Sequence, residues 1–143
     1  MRTYVDTSVL AKWYLPEAES DRVEQFIQSS APVAISSLTV VEFRSVLAKR
    51  RRARMIRPTA ETRVLASLRS DIEHGHLIHH PVDDPRFEEA VELLDAAKSV
   101  PLTTLDALHL AMARHIQAEA IATADRVMAS AAKALSLRVI RFG

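Results

Sequence analysis

Short, β-prone apolar segments run directly into helix starts in this chain, and no other feature limits its possible folds as much. Arg2 to Val5 reads as a buried strand that stops at Asp6-Thr7-Ser8, where a helix begins with Val9, Leu10 and Trp13 on its apolar face. Leu15-Pro16-Glu17 breaks that helix. A second helix, from about Ala18 to Ser29, turns Val23, Phe26 and Ile27 inward, and after Ala31-Pro32 the stretch Val33-Ala34-Ile35-Ser36 reads as a second strand. Ser37-Leu38-Thr39 opens a long helix with Val40, Val41, Phe43, Val46 and Leu47 on one side. Beyond Pro58, a helix from Thr59 to about Glu73 carries Val64, Leu65, Leu68 and Ile72, and His76 to Val82 is expected as a third strand. Asp84-Pro85 starts a helix ending near Ser99, with Phe87, Ala90, Val91, Leu93 and Leu94 as core. The next helix opens at Thr103-Thr104, with Leu105, Leu108 and Met112 on its apolar face, and runs to about Gln117. Ala120 to Thr123 is a strand, Ala124-Asp125 begins a last helix through Leu135, and Leu137 to Arg141 closes the chain as a strand. Strands alternating with helices predict an α/β layer structure with a mostly parallel sheet, whose ligand crevice lies beyond the carboxyl ends of the strands.

Composition narrows the class further. With 143 residues, 48% of them hydrophobic, the chain is long enough to bury a core unaided, and it is expected to form a single domain over residues 1–143. Only two glycines are present, which favours a helix-rich globular chain. The absence of cysteine excludes disulfides, zinc–thiolate centres and thiol nucleophiles, and suits a reducing compartment. The chain begins without a basic-then-apolar leader, and no apolar run has the length of a bilayer span, so a cytoplasmic protein with no membrane partner is expected.

Four acids share one kind of position. Asp6 and Asp125 follow strands at helix starts, while Glu42 and Asp106 sit in the first turns of helices entered from the same side. Each has a purely local explanation as a helix cap. Thr103-x-x-Asp106 and Thr39-x-x-Glu42 both resemble capping boxes. In a parallel sheet, however, the four positions can converge on one rim. Carboxylates gathered there would repel one another unless a cation intervened. For an all-oxygen site without cysteine the natural cation is Mg²⁺, or Mn²⁺ in its place. Thr7, Ser8 and Thr123 can add hydroxyls that support the acids. The chemistry expected of such a site is phosphodiester hydrolysis by a metal-activated water.

Arg44 and the segment Lys49 to Arg57 hold seven of the nineteen Lys and Arg residues, although the net charge is only +1. Arg44, Arg50, Arg51 and Arg52 are candidates for contacts to a nucleic-acid backbone, which basic side chains attract without reading sequence. A solvated helix end favoured by the helix dipole explains the run equally well. His109, one turn past Asp106, either touches substrate or fills the rim. His74, His76, His79 and His80 lack a ligand spacing that would define a transition-metal site. Trp13 is expected in the core.

The segments Tyr4-Val5-Asp6-Thr7-Ser8-Val9-Leu10, Thr39-Val40-Val41-Glu42-Phe43, Leu102-Thr103-Thr104-Leu105-Asp106-Ala107-Leu108-His109-Leu110-Ala111 and Ala122-Thr123-Ala124-Asp125, in that order, resemble the PIN-domain family, specifically VapC-type toxins of bacterial toxin–antitoxin pairs. The resemblance implies a three-layer α/β/α sandwich and a metal-dependent ribonuclease with Asp6, Glu42, Asp106 and Asp125 as its acidic pocket. It also implies a homodimer, and an antitoxin that covers the site and contacts DNA on the pair's behalf. One departure is Ser136, where relatives often carry glycine at a helix end. A PIN nuclease of RNA processing or of DNA ends keeps the fold but changes the task. A magnesium-binding receiver module would need an acid pair after its first strand and a lysine after its last. Here Asp6 stands alone after Val5, and the chain ends Arg141-Phe142-Gly143.

Overall fold

The computed structural model describes residues 1–143 and places strand β1 (Thr3–Val5) at the centre of one five-stranded sheet. Its neighbours are β2 (Val33–Ser36), followed outward by β3 (Leu77–His80), and on the other side β4 (Ala120–Thr123), followed by β5 (Arg138–Arg141). The spatial order is β3-β2-β1-β4-β5, and every pairing is parallel. A receiver fold has the order 2-1-3-4-5, so the topology itself removes that alternative. The chain builds outward from β1 to β3, then returns to start again at β4, so the switch point lies between β1 and β4. Ligand crevices form at such points.

Helices cover both faces of the sheet. Helices α1 (Thr7–Tyr14), α2 (Ser20–Ser30), α3 (Ser37–Arg52) and α4 (Pro58–Glu73) pack Val9, Leu10, Val23, Ile27, Phe43, Leu47 and Leu68 against Val5, Val33, Ile35 and Ala122. On the other face, α5 (Asp84–Ala96), α6 (Thr104–His115) and α7 (Arg126–Ala134) bury Ala90, Leu93, Leu110, Met112 and Met128 against Tyr4, Ala34 and Ile121. Successive strand residues thus feed opposite cores, as the two-residue period of a strand requires. The expected three-layer α/β/α sandwich is the observed one. No helix is long and apolar enough to cross a membrane. Replacing Leu110, fully buried in the second core, by Ala should cost about 3 kcal/mol of unfolding free energy. Urea denaturation would show a lower midpoint at unchanged slope, and a loss below about 1 kcal/mol would mean that α6 is not closely packed there.

Several local expectations change. Thr39-x-x-Glu42 is not the cap of α3, because the helix begins at Ser37. Ser36, the last residue of β2, is its N-cap, and the box closes between Ser36 and Thr39. Glu42 thereby lies in the second turn, free of capping duty. On α5 the apolar residues spread over two adjoining faces, and only one can lie on α6. Ala90 and Leu93 win that place, with Arg86 buried beside them and paired to Glu89 at 2.9 Å. Phe87 and Val91, expected in the core, are 50% and 58% exposed. Val41 and Leu105 also face outward. Helix α5 stops at Ala96 rather than Ser99, and β3 at His80, ahead of Pro81. Trp13 is half-buried at the edge of the first core, its ring 4.7 Å from that of Tyr14.

Candidate active site

The residues directly after β1 and β4 are stitched together at the switch point. Asp6 follows β1 and caps α1, accepting from the Val9 N–H at 3.2 Å and the Ser8 hydroxyl at 2.5 Å through Oδ1. Its Oδ2 accepts from the Thr123 hydroxyl, also at 2.5 Å. Both hydroxyls are themselves held from the loop after β4. Ala124 N–H donates to Ser8 Oγ, and Asp125 N–H donates to Thr123 Oγ1, each at 2.9 Å. Asp125 caps α7 by accepting from Met128 N–H at 2.8 Å through Oδ1. A hydroxyl can donate once and still accept, so each links a carboxylate to a backbone amide without leaving a buried group unpaired.

Glu42 reaches this network from α3. Its Oε1 accepts from the Thr7 hydroxyl at 2.7 Å and bonds His109 Nε2. His109 is buried, and its Nδ1 lies 2.7 Å from the Tyr4 hydroxyl. Of the two readings of His109, its enclosure between Tyr4 and Glu42 favours the one in which it fills the rim. Asp106, one turn earlier on α6, completes the capping box with Thr103, accepting from the Thr103 N–H at 3.3 Å. Asp106 is thus a helix cap that keeps Oδ1 free of protein partners.

The electrostatics single out Asp6. It is 3% exposed, and no Lys or Arg forms an ion pair with it, with Glu42, with Asp106 or with Asp125. Burial pushes the Asp6 carboxyl above its ordinary range, partly offset by the Ser8 and Thr123 hydroxyls, His109 and the Val9 N–H. Burial also pushes Glu42 upward, but the hydrogen bond and charge of His109, with the Thr7 hydroxyl, hold it below the usual range. Burial raises the Tyr4 hydroxyl beyond its ordinary range as well. The donor set suits a hard divalent cation, since the four acids and the Thr7, Ser8 and Thr123 hydroxyls offer only oxygen. The oxygens Glu42 Oε2, Asp106 Oδ1 and Asp125 Oδ2 have no hydrogen-bond partner in the protein. No three His, Asp or Glu side chains stand close enough together to hold a metal ion between them, so the fit lies in donor chemistry alone.

A cleft of about 580 Å³ leads away from these residues between α1 and α3. Thr7, Ser8 and Glu42 line one end, and Lys12, Lys49 and Arg50 the other. Glu17 pairs with Arg50 at 2.7 Å and with Lys12 at 3.5 Å, whereas Lys49 has no acidic partner. Arg51 pairs with Glu61 at 2.7 Å on the far side, and Arg44 and Arg52 are exposed and unpaired. Only Arg50 of the four expected arginines lines the cleft. Lys49 lines it from the start of the basic run, and Lys12 and Ser45 from outside that run. Ser45 and Lys49 follow Glu42 at helical spacing on α3, a signal present in the chain. The histidines scatter, with His74 bonded to Ser70 and His79 to Ser37. A larger cleft, about 830 Å³, opens by Arg2, His80 and His115 and contains none of the four acids.

A sheet of this order, with Asp6 and Asp125 on either side of its switch point, has a counterpart among known families: the model of the PIN domain matches residues 3–134, and the chain belongs to that family. Among solved structures, it is similar to the Mycobacterium tuberculosis toxin VapC20, a sarcin–ricin-loop-cleaving toxin, with a TM-score of 0.72 and 21% identity over 90% of this chain and 94% of that one. DNA-bound VapBC from Salmonella typhimurium aligns at a TM-score of 0.69 and 18% identity, covering 99% and 98% of the two chains. VapBC2 from Rickettsia felis, bound to a promoter DNA fragment, aligns at 0.67 and 16% identity over 100% of both. No curated protein sequence matches the chain.

Proposed function

We propose that the chain is a metal-dependent endoribonuclease and the toxin of a type II toxin–antitoxin pair. The observation that carries this is Asp6, a buried carboxylate without a Lys or Arg partner, held by the Ser8 and Thr123 hydroxyls, while the neighbouring Thr7 hydroxyl holds Glu42 and Thr123 accepts from the Asp125 N–H. A structural acid so placed would cost stability, whereas a cation-binding one gains from it. In this reading Asp6, Glu42, Asp106 and Asp125 hold one or two Mg²⁺ or Mn²⁺ ions. When bound, the ion supplies an activated water and neutralises charge on the phosphate. Thr7, Ser8 and Thr123 keep the carboxylates in register, and one carboxylate accepts the water's proton. Likeness to VapC20 supports RNA as substrate, and likeness to the VapBC complexes supports an antitoxin partner that contacts DNA. Assembly as a homodimer and a cytoplasmic location belong to the same proposal.

Incubating purified protein with total RNA and Mg²⁺ or Mn²⁺, with Asp106→Asn alongside, tests it. Discrete fragments are expected from the wild type only, and none when EDTA is present. Cleavage that persists in EDTA would refute the metal, and DNA cleavage without RNA cleavage would favour a DNA-acting PIN nuclease.

The cleft between α1 and α3 is the proposed path for the strand beside the scissile bond. Lys49→Gln should weaken binding of a single-stranded RNA and flatten log K against log salt by about 0.7, the contribution of one phosphate contact. Glu17→Gln, which frees Lys12 and Arg50, should tighten binding and steepen that slope. Unchanged slopes in both variants would remove the path.

A further inference from the structure

A file of buried polar groups runs behind the site. Tyr4, fully buried in the central strand, has its hydroxyl 2.9 Å from Ser36 Oγ, 3.4 Å from Thr39 Oγ1 and 2.7 Å from His109 Nδ1. The opposite ring nitrogen of His109 bonds Glu42 Oε1. Four elements meet in this file: β1, the end of β2, α3 and α6. Apolar residues at these positions would pack without any need for pairing, so a buried chain of hydrogen bonds calls for an explanation beyond filling space.

Proton placement supplies one. If the Tyr4 hydroxyl donates to Nδ1, the ring is neutral and its proton sits on Nε2, facing Glu42. If Nδ1 donates to Tyr4 instead, Nε2 must still carry a proton, because a bare Nε2 beside the Glu42 carboxylate would set two acceptors against each other. Glu42 Oε1 thus receives a donor in either state, and Thr7 supplies a second at 2.7 Å. Two donors on one oxygen fix the plane of the carboxylate and leave Oε2 with no partner in the protein. Outer partners of this kind orient metal-binding carboxylates.

We infer that His109, backed by Tyr4, is a positioning residue that holds Glu42 with Oε2 presented to the bound cation. This rests on the proposed metal site and assigns the residues that aim one of its ligands. His109→Phe keeps a ring in the core but removes both nitrogens. It should weaken Mn²⁺ binding to the protein without RNA, measured by calorimetry, by about 10- to 100-fold. His109→Gln, whose amide can donate to Oε1, should recover part of that loss. Tyr4→Phe should give a smaller loss, since it removes the brace on Nδ1 but leaves Nε2 able to bond Glu42.

Wild type that binds no Mn²⁺ would overturn the metal site itself. Wild type that binds, with His109→Phe binding equally well, would overturn the positioning role alone. Equal losses in His109→Phe and His109→Gln would also overturn it, because a donor to Oε1 would then be irrelevant. Should His109→Phe fail to fold, Tyr4→Phe decides: affinity within twofold of wild type refutes the backing by Tyr4.

Discussion

Asp6→Asn should leave a folded protein, more heat-stable than the wild type in EDTA, with cleavage reduced by at least about a hundredfold. Losing an outer partner of a metal-binding group costs about 10- to 100-fold, and losing a ligand itself should exceed that. The stability gain has a separate origin. Burial raises the Asp6 carboxyl, so its ionised form opposes folding. A neutral amide of the same shape removes that opposition, while Ser8 and Thr123 can turn their hydroxyls to suit it. The expected rise in Tm is about 4 °C, the shift that ~1 kcal/mol produces near this chain length. The sign of the pH dependence follows. A group whose folded pKa is raised contributes stability at acid pH and loses it as pH rises through the folded value. The advantage of Asn over Asp should therefore vanish as pH falls below the Asp6 value and widen towards neutrality. A variant less stable than wild type in EDTA at pH 7 would show that the three hydrogen bonds to Asp6 outweigh its burial.

Metal should reverse that order. Mn²⁺ at about a hundred times its dissociation constant adds about 2.7 kcal/mol to any fold that alone binds it. In thermal unfolding this is a rise of about 10 °C for the wild type, much reduced in Asp6→Asn and abolished by excess EDTA. Mn²⁺ therefore makes the wild type the more stable of the two, although it is the less stable without metal. Equal shifts in both proteins would place the bound ion elsewhere. The comparison needs no RNA, so a narrow substrate preference cannot obscure it.

The parts of the site that were legible in the sequence are those written locally. Asp6, Asp106 and Asp125 each sit at a strand-to-helix or loop-to-helix junction, and such junctions show through caps and abrupt changes of period. The layered fold followed from the same junctions. Glu42 was found for a partly mistaken reason, since the capping box lies three residues earlier, at Ser36 and Thr39. What stayed hidden depends on contacts between distant segments. Nothing near Tyr4 indicates that its hydroxyl meets His109, more than a hundred residues away. The choice of Ala90 and Leu93 over Phe87 and Val91 is made by the surface of α6, against the ordinary preference for burying the larger groups. Of the basic run, only Lys49 and Arg50 line the cleft. The cleft selects Lys12, Lys49 and Arg50, and Glu61 occupies Arg51.

The central place of β1 has a consequence for the order in which the protein can be made. Its first neighbour, β2, leaves the ribosome about thirty residues behind it, but its second, β4, follows only after nearly the whole chain. Until then the Asp6 amide lacks the Ala122 carbonyl and its carboxylate lacks the Thr123 hydroxyl, a partner 117 positions away. Pairings so distant in sequence close late and slowly. A nascent chain halted anywhere before β4 carries Asp6 and Glu42 but has neither Asp125 nor the hydroxyl that seats Asp6. The proposed acidic set is therefore complete only once β4 has paired with β1.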